Sequence, residues 1–199
     1  MPKTYSDKER EHIIKSLKEE AKKCLALYGV KKTTVDELVK RVNIPKGTFY
    51  LFFNSKELLL FDVINDLHNE IQNKFIREAA FFQGKITCEQ LTNLLFGIFK
   101  QVDDTCLLSI MTNGDLELLM RKLPDEIVAE HLTHDELSVK RLISFIPQAK
   151  GKNVEYFAGA FRGIFLTMLH KREIGEEVFD YSLRLMINGL VIQLMEEQL

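Results

Sequence analysis

Residues 33–58, TTVDELVKRVNIPKGTFYLFFNSKEL, decide how the rest of the chain is read. Thr34 followed three residues later by Glu37 is a capping-box pattern that predicts a helix opening at Val35. Val35, Leu38, Val39 and Val42 then fall at the spacing of a buried helix face. Asn43 stands where the chain must turn sharply, and Asn tolerates left-handed backbone better than most non-glycine residues. Pro45 suits the first turn of the next helix, where its missing N–H costs nothing. That second helix is short and rich in small and aromatic residues. Asn54 and Ser55, with Glu57, predict the cap of a third. Two short helices joined by a turn are the arrangement that lays the second in a DNA major groove.

Each position in the stretch has a physical use against a duplex. Thr33 and Thr34 offer hydroxyls and backbone N–H groups to a phosphate. Lys46, Gly47, Thr48, Tyr50 and Leu51 are expected on the groove-facing side. There Gly47 permits close backbone approach, Lys46 reaches a base edge or a phosphate, and Tyr50 donates its hydroxyl to phosphate. Leu51 cannot hydrogen-bond a base, so a thymine methyl is its natural contact. Phe49 and Phe53 are expected to point inward, and Lys56 adds positive charge at the start of the third helix. The plain alternative is a packed helical hairpin with no ligand.

Outward from this stretch, charge is distributed unevenly. Residues 1–60 hold 13 Lys and Arg against 8 Asp and Glu, leaving 14 against 21 for residues 61–199. A basic head on an acidic body suits a chain of which only the head approaches phosphate. The cysteines, Cys24, Cys88 and Cys106, number three and lie far apart. None of their spacings matches a metal or redox motif, which fits a reducing, cytoplasmic compartment. The N-terminus lacks a signal-type apolar core, and no uninterrupted apolar run approaches the roughly 18–20 residues of a membrane span. No membrane association and no cofactor are expected.

Apolar spacing is helical nearly everywhere, which predicts an all-α chain of nine or ten helices. Helix 1 is expected from about 6 to 28, stopped by Gly29, and a long fourth helix from about 55 to near Gly84. Further helices are expected at about 86–102, 104–112, 115–121, 124–146, 153–171 and 176–197, with breaks at Asn113-Gly114, Leu123-Pro124, 147–152 and Gly175.

Thr34-Val35, Lys46-Gly47-Thr48, the pair Phe49-Tyr50, Phe53 and Ser55-Lys56-Glu57-Leu58 together resemble the DNA-binding signature of the tetracycline-repressor (TetR) family of bacterial transcriptional regulators. The detailed likeness covers about 50 residues. It departs from the family pattern at Val39, Val42 and Asn43, where small residues and a turn Gly are usual, and at Leu51 and Phe52. The resemblance implies a helix-turn-helix domain over residues 1–54 and a helical effector-binding and dimerisation domain over 55–199, with helix 4 connecting them. It implies a homodimer on a palindromic double-stranded operator, released by a small effector and most often a repressor.

The body carries residues that suit both implied tasks. Phe96, Phe99, Met111, Phe145, Tyr156, Phe161 and Phe165 are candidate linings for an apolar or aromatic effector. Phe157, Met168, Phe179, Leu183, Met186 and Leu190 lie on helices with more than one apolar face, and are candidates for a dimer interface. Other readings are weaker. His131 and His134 share a helix face and suggest a metal-responsive regulator, and Cys88 with Cys106 a thiol-responsive one. A helical protein–protein adaptor would use the hairpin structurally. No phosphate loop, nucleophile elbow or helical metalloprotease motif is present, so an enzyme is not expected.

Overall fold

A computed structural model of the chain describes residues 5–82, 86–131, 146, 149 and 151–196. Among these residues the regular structure is helical throughout. The first helix, α1 (Asp7–Lys32), opens on a complete capping box between Ser6 and Glu9. Its expected stop at Gly29 is a break instead: Gly29 takes φ 71°, ψ −175°, and the chain then continues helically to Lys32. Helix α2 (Val35–Val42) is capped by Thr34, whose hydroxyl accepts the Glu37 N–H. The reciprocal half of the predicted capping box is missing, because the Glu37 carboxylate instead accepts from Arg41 Nε at 2.7 Å. Asn43 adopts the left-handed conformation expected of it, with φ 58°. Helix α3 (Lys46–Phe49) is a single turn, and α4 (Lys56–Ala80) follows.

The remaining helices are α5 (Cys88–Asp103), α6 (Leu107–Thr112), α7 (Asp115–Met120), α8 (Val154–Met168), α9 (Lys171–Ile174) and α10 (Glu176–Met195). Between α7 and α8 the chain is helical from residue 125 to residue 131. The rest of the helix expected at 124–146 lies almost wholly outside the described residues.

By packing, the chain divides into two units, residues 1–68 with 109–124 and residues 69–108 with 125–199. The expected boundary after residue 54 therefore differs from the observed grouping. The first half of α4 and the segment 109–124 pack with the head. The head core joins Leu17, Ala21, Cys24 and Leu25 of α1 to Leu38, Phe49, Leu59, Leu60 and Leu119, all buried. Burying a Leu or Phe fully contributes about 1.5–3 kcal/mol, so one contiguous cluster is enough to hold these short helices in place. At the rim, Lys18 Nζ lies 2.9 Å from both Asp62 and Asp66 of α4. Partial burial works against its charge, but the two carboxylates prevail and raise its pKa.

In the second unit α5, α8 and α10 enclose an apolar core that includes Leu91, Leu95, Phe99, Ala158, Ile164, Ile187, Val191 and Leu194. Three residues expected at a dimer interface, Met168, Phe179 and Leu183, belong to this core and are buried within the subunit. Phe157, Met186 and Leu190 are half-buried and packed against it. The physical reason is that α10 has two apolar stripes. A hydrophobic pattern marks both without saying which one its own chain covers. At the edge, Lys100 bridges Asp180 at 3.0 Å and Lys171 bridges Asp103 at 2.7 Å. Burial would push the Asp103 carboxyl up, but Lys171 and Lys100 hold it below the ordinary carboxylate range.

Candidate nucleic-acid interface

The head builds its candidate reading surface from one helical turn and the residues either side of it. Phe49 is fully buried and stacks edge-on against Tyr50 at 5.2 Å and tilted against Phe53 at 6.0 Å. With Phe49 anchored inward, Lys46, Gly47, Tyr50 and Leu51 are exposed together. No atom lies within 4 Å of where a Gly47 side chain would begin, so the backbone is open to close approach on that side. Tyr50 and Leu51 are about half exposed, an unusual cost for apolar surface unless something covers it.

Three residues expected to contact DNA have their polar groups engaged within the head. Thr48 is buried, and its hydroxyl lies 3.1 Å from that of Tyr5. Thr33 is fully buried, its hydroxyl donating to the Gly29 carbonyl at 2.7 Å and its N–H directed at the same oxygen. Lys56 folds back, donating to the carbonyls of Val30 at 2.8 Å and Thr33 at 2.6 Å. Burial pushes its ammonium below the ordinary lysine range, opposed by the nearby charges of Glu57 and Asp115. Thr34 is exposed, but its hydroxyl is occupied as the α2 cap.

The sequence reading also missed two features. Lys46 is bridged to Asp36 at 2.8 Å, and this hydrogen bond raises its pKa. The Asp36 to Lys46 spacing crosses a turn whose geometry had to be known before the pair could be seen. The start of α1 also reaches α3's neighbourhood. Tyr5 packs on Phe52 at 6.2 Å, and the Arg10 guanidinium lies 5.1 Å from the same ring, a cation–π separation.

The effector candidates are scattered. Phe99 is buried in the core of the second unit, and Phe96, Phe161 and Phe165 pack against that core. Tyr156 is instead 76% exposed and Met111 groups with the head, so neither joins that set; Phe145 lies outside the described residues. Among the described residues no cluster of three or more His, Cys, Asp or Glu is placed to hold a metal ion. His131 is half-buried, and His134 lies outside the described residues. Cys88 donates weakly to Asn188 Oδ1 at 3.6 Å, beside the Thr92 hydroxyl.

Residues 17–63 match the model of the family described as bacterial regulatory proteins, tetR family. Two relatives come from Bacillus subtilis (strain 168). The uncharacterised HTH-type transcriptional regulator YhgD is 38% identical over 60 residues, covering 30% of this chain and 31% of its own length. The uncharacterised HTH-type transcriptional regulator YuxN is 43% identical over 98 residues, covering 48% of this chain and 33% of its own. The chain thus spans about a third of the length of the curated relatives it matches. The solved structure of the fatty acid degradation regulator FadR from Bacillus halodurans superposes with a TM-score of 0.59 over 97% of each chain, at 19% identity. That likeness speaks for the fold.

Proposed function

We propose that this chain is a transcriptional regulator of the tetR family and that its head reads double-stranded DNA through Lys46, Gly47, Tyr50 and Leu51. The observation that carries the reading is the joint exposure of these four on α3 and the two residues after it, held outward by a fully buried Phe49. An N–H-rich backbone at Gly47, a phenol and a lysine suit phosphate. Leu51 suits a thymine methyl in the groove. Thr34 contributes through the start of α2, where backbone N–H groups point outward.

The molecule works as a homodimer on a two-fold operator in the cytoplasm. Support comes from α8 and α10, which have an apolar stripe left over once their core stripe is buried. On α10 the exposed large apolar residues are Val178, Tyr181, Leu185 and Ile192, with Tyr181 70% exposed. On α8, Tyr156 and Leu166 flank exposed Gly159, Ala160 and Gly163. By length and composition α10 is also apolar enough to cross a membrane. Its buried stripe of Phe179, Leu183, Ile187, Val191 and Leu194 fits a helix shared between a core and a partner.

The regulator represses, and a small, largely apolar or aromatic effector of the second unit releases it. Phe96, Phe99, Phe161 and Phe165 concentrate the aromatic surface that such a ligand needs. The effector acts by preferring the dimer whose heads do not fit adjacent major grooves. Fluorescence anisotropy with duplexes from upstream of the chain's own gene tests the reading. One duplex is expected to bind specifically, and Tyr50→Ala to weaken it across all sequences. Equal affinity for every duplex, with no loss on Tyr50→Ala, would sink it.

A further inference from the structure

We infer that Asp115 is a positioning residue for DNA binding, holding the connector that runs from the Gly29 break of α1 to the start of α2 without touching the duplex. The inference rests on the DNA-reading proposal above and adds a residue from outside the helix-turn-helix segment. Gly29 breaks α1 in a conformation open only to glycine, and the Val30 N–H just beyond the break is directed at a side chain. Asp115 Oδ2 accepts it at 2.9 Å. The carboxylate comes so close that a Cβ on residue 29 would lie 2.2 Å from the same oxygen.

The opposite side of the same residue is held as firmly. The Val30 carbonyl accepts from Lys56, which also takes the Thr33 carbonyl. Both polar groups of one fully buried residue are thus satisfied by side chains 85 and 26 positions away. Orphaned buried backbone groups are rare and costly, so the pair of contacts fixes where the connector runs. Thr34, the cap of α2, follows directly on the gripped Thr33. A shift at Val30 is therefore passed to the start of α2, and through α2 to α3.

Packing alone does not enforce this path. A partly open surface pocket of about 190 Å³ lies beside the contact, lined by Leu25, Tyr28, Gly29, Ser109, Asn113 and Asp115. With the carboxylate removed, the connector has space to move. Asp115 stands at the start of α7, behind the turn at Asn113-Gly114, so the segment 109–124 sets the carboxylate's place.

The test compares the full chain with Asp115→Ala and Asp115→Asn, using anisotropy on the specific duplex and on an unrelated duplex at low salt. Asp115→Ala is expected to lose about tenfold on the specific duplex, the scale of one lost backbone cap, while changing unrelated-duplex binding less than about twofold. Asp115→Asn keeps an oxygen acceptor and is expected to recover most of the loss. Exchange of the Val30 amide is expected to be slow in the wild type and in Asp115→Asn. Wild-type-like specific binding by Asp115→Ala, or an equal loss on both duplexes, overturns the inference. So does fast Val30 exchange in the wild-type chain, which decides the matter even if Asp115→Ala does not fold. A wild-type chain that binds no duplex overturns the DNA-reading proposal itself, and the inference with it.

Discussion

Lys46 shows how a charge that looks available in sequence is already engaged in the fold. Its ammonium sits 2.8 Å from the Asp36 carboxylate, with both side chains at least half exposed. Such an exposed pair is worth little, about 0–1 kcal/mol, so a phosphate can displace Asp36. Asp36→Ala is accordingly expected to tighten specific DNA binding by roughly twofold to fivefold at low salt. Anisotropy titrations of the two proteins side by side would show it, and weaker binding by the variant would count against Lys46 as a phosphate contact. Gly29 presents the opposite case, because space and conformation both forbid a side chain. Gly29→Ala is expected to cost at least about 1–3 kcal/mol, read as a lowered urea midpoint. Thr33, Thr48 and Lys56 were expected to face the duplex, yet all three spend their polar groups inside the head.

At the scale of the element, α10 carries a buried core stripe beside the exposed stripe proposed for a partner. Leu183 is fully buried in its own subunit, while Leu185, two residues on, is 54% exposed. Leu183→Ala is expected to destabilise the subunit by about 2–5 kcal/mol, the range for a buried Leu that leaves a cavity. Leu185→Lys is expected to leave the melting temperature of the subunit nearly unchanged while splitting the dimer, as sedimentation velocity would report. A dimer that survives Leu185→Lys and Tyr181→Glu together would place the interface elsewhere. Helix α3 teaches a related lesson. One turn of helix is marginal in isolation, and it persists here because Phe49 is locked into the head core.

For the whole molecule, a basic head and an acidic body predict binding that depends on salt only through the head. One released phosphate counterion per Lys46 in each subunit gives a slope of log affinity against log salt of roughly −2 or steeper. A salt-insensitive complex would remove the phosphate assignments altogether. Effector titration adds a second test at this scale. On the proposed mechanism, a ligand that binds the second unit and prefers one dimer arrangement shifts operator affinity, whereas one without preference shifts nothing.

Helical spacing, the capping residues and the left-handed Asn43 follow from local chemistry, so the all-α fold, the short hairpin and the inward Phe49 were legible in the chain itself. So was the likeness of residues 33–58 to a known DNA-binding signature. What the periodic pattern could not decide was which of two apolar stripes on α10 its own core would cover, since both repeat at the same period. Nor could it show Asp115 capping Val30 across 85 residues, or Asp36 meeting Lys46 across a turn. Those pairings exist only once distant segments pack together, and it is the packing that assigns Thr33, Thr48 and Lys56 to the inside of the head.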